Sequence, residues 1–100
     1  MTAYTVFVTP EALDDIRELP GHIRQRIRRA IHDLAAAPRP QRSKALDADN
    51  IPGELRRIRL ERWRIVYVVH DADHVVDIIA VRKRPPYDYG DLSALLERLS

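Results

Sequence analysis

A chain of 100 residues, 45% hydrophobic and 32% charged, is sized and composed for one soluble globular domain spanning 1–100, which excludes a disordered segment. Having no cysteine excludes a disulfide framework and thiolate metal sites. A net charge of +2, from 17 Lys and Arg against 15 Asp and Glu, excludes a uniform polycation and makes the placing of charge matter more than its sum. In chain order, Tyr4-Thr-Val-Phe-Val8 is β-branched and aromatic and predicts a strand. Thr9-Pro10-Glu11 is a helix-start signal: a capping hydroxyl, a proline for the first helical position and an acid for the positive dipole end. Ala12, Leu13, Ile16 and Leu19 make its apolar stripe, and Pro20-Gly21 ends it.

A second helix is predicted from about His22 to Ala37, burying Ile23, Ile27, Ala30, Ile31 and Leu34. Its arginines, Arg24, Arg26, Arg28 and Arg29, lie mostly on other faces and read as solvated, with Arg29 spaced to pair with Asp33. The short link between the helices predicts an αα-hairpin. Residues 38–53 read as a loop anchored by Leu46, and strands are predicted over about 54–60, 62–70 and 74–82. The last two are apolar on both faces over part of their length, as in central strands. Pro85-Pro86 breaks the final strand, and Asp91 can cap a short C-terminal helix striped by Leu92, Leu95, Leu96 and Leu99. The order β-α-α-β-β-β-α predicts an α+β fold: a mostly antiparallel four-stranded sheet packed against the helical hairpin. No apolar stretch approaches the ~20 residues of a membrane span, and the N-terminus has no signal-peptide pattern. A cytoplasmic protein with no membrane partner is expected.

The chemistry concentrates in the strands. Residues 56–64 carry Arg56, Arg57, Arg59, Arg62 and Arg64 against Glu61 alone, and Arg82-Lys83-Arg84 closes the last strand. Alternation puts Arg57 and Arg59 with Leu55 on one face, and Arg56 with Ile58 and Leu60 on the other. It also puts Arg62 and Arg64 together, opposite Trp63 and Ile65. Convergence of Arg57, Arg59, Arg64 and Arg82–Arg84 would make a cationic surface suited to phosphodiesters, because arginine is permanently charged and grips phosphate bidentately. Tyr87 and Tyr89 follow, able to stack on a base or supply a hydroxyl. The competing reading is a solvated face with arginines neutralised by Glu54, Glu61 and Asp77. No metal or other cofactor is expected. Asp47-Ala-Asp49-Asn50 lacks the carboxylate spacing of a calcium loop, and His70 and His74 bracket a turn without a third ligand.

The pattern Gly53-x-Leu55-x-Arg57-Ile58-Arg59-x-x-x-Trp63-Arg64-Ile65-Val66-Tyr67 resembles the strand signature of the RelE/ParE toxin superfamily. The opening Tyr4-x-Val6 strand, the helical hairpin and the closing Val81-x-Lys83-Arg84 segment with its following tyrosines fit the same resemblance, which covers nearly the whole chain. It implies a type II toxin bound by a small antitoxin. RelE-like members enter the ribosomal A site and cut mRNA without a metal; ParE-like members poison DNA gyrase; a third possibility is a member that only binds its antitoxin. The basic cluster with a distal tyrosine favours the RelE-like branch. By position, the resemblance makes Arg57, Arg64 and Arg84 the catalytic set, with Tyr87 or Tyr89 as the aromatic. Arg59, Arg62, Arg82, Lys83 and Tyr89 would bind RNA. Some RelE-like relatives have lysine where Arg57 stands. Arginine, with a pKa above ~12, is no general base, which leaves Lys83 or Tyr87 for that role.

Overall fold

The computed structural model describes residues 3–46 and 51–83. Thr5–Val8 forms the first strand, β1, and the chain turns at once into helix α1, Pro10–Arg17. Thr9 makes that turn in extended backbone, φ −65° and ψ 157°. Its Oγ1 accepts the Ala12 N–H at 3.3 Å and its hydroxyl donates to the Ile78 carbonyl at 3.0 Å, so one side chain caps α1 and ties it to the sheet. Helix α2 spans Gly21–Asp33. Arg24 reaches back from it to close α1, donating from Nη2 to the carbonyls of Leu19 at 2.9 Å and Arg17 at 3.3 Å. That guanidinium is structural. The predicted Arg29–Asp33 pair is not formed among the described residues; Asp33 lies instead 3.9 Å from His32 Nδ1.

The second helix stops four residues before the predicted Ala37. The N–H groups of Ala36 and Ala37 both go to the Asp33 carbonyl, while the Ala35 carbonyl accepts the Tyr4 N–H at 2.8 Å. Entry into β1 therefore takes up a carbonyl of the helix's final turn.

The predicted loop 38–53 contains a strand, β2, Ser43–Ala45, antiparallel to β3, Glu54–Leu60. Ser43 organises it: its N–H and hydroxyl donate to the Pro40 carbonyl at 2.9 and 2.7 Å, and its Oγ accepts Arg56 Nη2 at 2.9 Å. Strands β4, Trp63–His70, and β5, Val75–Lys83, complete a five-stranded sheet in the order β1-β5-β4-β3-β2. The sheet is mixed: β1 runs parallel to β5, and every other pair is antiparallel. The expected four strands are thus five, within the expected α+β architecture.

Both faces of the sheet are apolar at its centre. The helices bury Ala12, Ile16, Leu19, Ile23, Ile27 and Leu34 against Ile58, Ile65, Tyr67, Val69, Val76, Ile78 and Val81. The opposite face gathers Leu55, Val66, Val68, Ile79 and Ala80, with Leu46 and Ile51 packed on them. No helix among the described residues is long and apolar enough to cross a membrane.

Candidate functional site

On the face opposite the helices, the register brings the strand arginines into line. Arg59 of β3 lies across from Arg64 of β4, and Arg64 across from Arg82 of β5. The next row on that face is Arg57, Val66 and Ala80. Arg57, Arg59, Arg64 and Arg82, far apart in sequence, thus form one cluster at one end of the sheet. Like charges directly opposite each other in a sheet repel.

A β-bulge makes the row possible. Val66 pairs with Ala80 and Tyr67 with Ile78, which leaves Ile79 as an extra residue. Before it, Val76 and Ile78 point at the helices; after it, Val81 does. The extra residue inverts the alternation, because a one-residue slip moves every later side chain to the other face. Without the bulge Arg82 would face the helices; with it, Arg82 stands beside Arg64. The apolar stretch Ile78–Val81, in which the bulge falls, carries no sequence signal for that inversion.

Other predicted residues lie elsewhere. Arg62 is not in a strand with Arg64: Glu61 and Arg62 form the two-residue β3–β4 turn, with Glu61 at φ 55°. Lys83 pairs in register with Trp63, its Nζ 6.0 Å from the indole centroid, and alternation turns both away from the arginine face. Arg56 is separated as alternation predicts, bonded to Glu54 Oε1 at 3.0 Å and to Ser43. Arg84, Tyr87, Tyr89 and the expected C-terminal helix lie outside the described residues.

Burial differs sharply within the cluster. Arg64 is 2% exposed, Arg57 is half-buried, and Arg59 is open to solvent. Arg64 is a cation fixed inside the sheet and Arg59 one on its surface.

Of the three carboxylates proposed to neutralise the strand arginines, Glu54 pairs with one of them, Arg56, while Glu61 and Asp77 turn to other cations. Glu54 takes Arg39 and Arg56, Glu61 takes Arg26 at 2.9 Å, and Asp77 lies 2.9 Å from His70 Nε2. At the opposite end of the sheet Arg39 also grips Asp71 through two bonds of 3.1 and 2.7 Å, and Tyr4 donates to Asp71 at 2.7 Å. Arg39 and Tyr4 together hold the Asp71 carboxyl down at about 2. Hydrogen bonding from Arg56, then from Arg39, lowers Glu54 as well. This network ties the α2–β2 connection to β1, β3 and the β4–β5 turn. His74 packs on Tyr4 with ring centroids 5.1 Å apart. Among the described residues no group of three or more potential metal ligands assembles.

The arginine face is suited to bind and polarise a tetrahedral or pentacoordinate phosphate. Planar guanidinium forks donate paired hydrogen bonds to phosphoryl oxygens, and donors fixed before reaction stabilise developing charge best.

Comparison with known proteins places this geometry in a recognisable setting. The model for the ParE toxin of the type II toxin–antitoxin system parDE matches residues 6–85. The fold is similar to the archaeal RelE–RelB complex from Pyrococcus horikoshii, with TM-score 0.75 and 24% identity over 87% of this chain and 100% of that one. It is similar to the RelBE2 toxin–antitoxin complex from Mycobacterium tuberculosis, with TM-score 0.70 and 26% identity over 82% and 99% of the two chains. The isolated RelE toxin of E. coli gives TM-score 0.66 and 25% identity over 98% and 100%. No curated protein matches the sequence.

Proposed function

The chain belongs to the ParE toxin family of type II toxin–antitoxin systems, and from that premise we propose that it is a ribosome-dependent, metal-independent mRNA endoribonuclease that inhibits translation. The observation that carries this reading is the Arg59–Arg64–Arg82 row, with Arg57 beside it, on the face opposite the helices. In the proposed reaction the ribose 2′-oxygen attacks the adjacent phosphorus and the P–O5′ bond breaks. A 2′,3′-cyclic phosphate forms, and the leaving oxygen takes up a proton as a 5′-hydroxyl. Arg57 and Arg64 orient the scissile phosphate, Arg59 and Arg82 hold the flanking backbone, and Arg84 stabilises the leaving oxygen. Of the two candidate bases, Lys83 faces away from the row, which leaves Tyr87 to remove the 2′-proton.

A cognate antitoxin is the expected partner, since similar structures include RelE–RelB complexes. An acidic or amphipathic antitoxin segment laid over the arginine face would block it by charge complementarity.

The parDE description of the matching family favours a second reading, inhibition of DNA gyrase by protein binding. Two assays on the purified protein separate them. Cuts within codons of ribosome-bound mRNA, mapped by primer extension, support the nuclease. Intact mRNA with lost supercoiling by gyrase supports the other.

A further inference from the structure

Strand β1 covers only part of β5. Its register runs from Thr5 opposite Val75 to Val8 opposite Ile78, and the chain then leaves for α1. Beyond Ile78, on the edge where β1 has ended, the Val81 N–H donates to Asp15 Oδ2 at 3.0 Å. Asp15 stands on α1 beside the buried Ile16, so it projects from an element packed on the core. The same Oδ2 lies 3.7 Å from Arg82 Nε, with both side chains about 30% exposed (30% and 29%).

We propose that Asp15 is a positioning residue for the arginine row: from α1 it clamps the outer half of β5 and holds the Arg82 guanidinium at the edge end of the row. Its carboxylate meets one backbone donor and one guanidinium of consecutive residues, which fixes the strand and the direction of the side chain together. The β-bulge puts Arg82 on the correct face; Asp15 sets its position there. Arg82 is the end of the row nearest that edge, where β1 provides no neighbouring strand. A bare edge cap needs only an acceptor for the Val81 N–H. The proximity of Oδ2 to Arg82 Nε adds a charge-dependent role.

The cleavage arm of the test rests on the ribonuclease reading; the spectroscopic arm does not. Asp15→Asn retains an acceptor for the Val81 N–H and removes the charge. Simple electrostatics has this variant bind RNA at least as tightly, since it gains one unit of positive charge. Positioning requires its single-turnover cleavage on programmed ribosomes to fall about ten- to a hundredfold, the scale of a misplaced group. In an Arg82→Ala background the same substitution should have no further effect. Independently, the Arg82 Nε–H NMR resonance should shift in Asp15→Asn while the Val81 amide stays protected from exchange. An unmoved Arg82 resonance overturns the proposal, as does wild-type cleavage by Asp15→Asn or a full additional loss on top of Arg82→Ala. If wild-type protein leaves mRNA intact, the ribonuclease reading fails, and the Arg82 resonance alone decides the role of Asp15.

Discussion

Arg64 and Arg59 face each other across two strands, yet one is 2% exposed and the other lies in solvent. Their substitutions should separate structure from function. Arg59→Ala removes an exposed side chain, so stability by urea denaturation should stay within about 0.5 kcal/mol of wild type. RNA affinity should fall, and the salt dependence of binding should flatten by about one phosphate contact. Arg64→Ala also empties a packed position, so part of its effect will be loss of fold; Arg64→Lys keeps charge and much of the volume but loses the fork. At the other end of the sheet, Asp71 predicts a pH dependence. Arg39 and Tyr4 hold its folded-state carboxyl at about 2, below its ordinary value. Its ionised form therefore stabilises the fold. That contribution is complete above about 4 and is lost as pH falls through about 2. Urea midpoints measured from pH 5 down to 2 should decline less steeply in Asp71→Asn than in wild type.

Among the elements, the β3 entrance and β5 carry the sharpest predictions. Gly53 has φ 120°, and a Cβ there would lie 2.7 Å from the Val69 carbonyl oxygen and 2.9 Å from Val68 Cγ1. Gly53→Ala should cost about 2 kcal/mol or more, from backbone strain and a clash with a sheet carbonyl, measured by chemical denaturation. Deleting Ile79 should straighten β5 yet keep Arg82 opposite Arg64, because Ile78 and Ala80 would then oppose Tyr67 and Val66 with no extra residue; RNA binding should persist in the variant where circular dichroism shows it folded. These elements also show how far the sequence was legible. The helix stripes and the separation of Arg56 from Arg57 and Arg59 followed from side-chain period, which packing and register respected. Strand β2 was missed because three polar or small residues, Ser43–Ala45, offer no period; its existence depends on pairing with β3 and on Arg56 reaching Ser43. The face of Arg82 is not derivable, because it depends on a bulge inside the short apolar stretch Ile78–Val81. Arg62 was assigned to a strand by extending alternation through what is a two-residue turn.

At the scale of the molecule, a chain of net charge +2 gathers Arg57, Arg59, Arg64 and Arg82 at one end of its sheet, while Arg39 joins the opposite end to Glu54 and Asp71. The first arrangement gathers arginines on one face and the second pairs a single arginine with two carboxylates. The cationic end fits a phosphodiester target and makes an acidic antitoxin segment a direct competitor for the same surface. The central claim is that the row acts on the mRNA phosphate itself. The most direct measurement is primer extension on mRNA held in programmed ribosomes, comparing wild-type protein with Arg57→Ala confirmed as folded. Cuts within A-site codons by wild type, reduced about a hundredfold or more by the variant, are the predicted result. Intact mRNA with wild-type protein, or equal cutting by both, would contradict it.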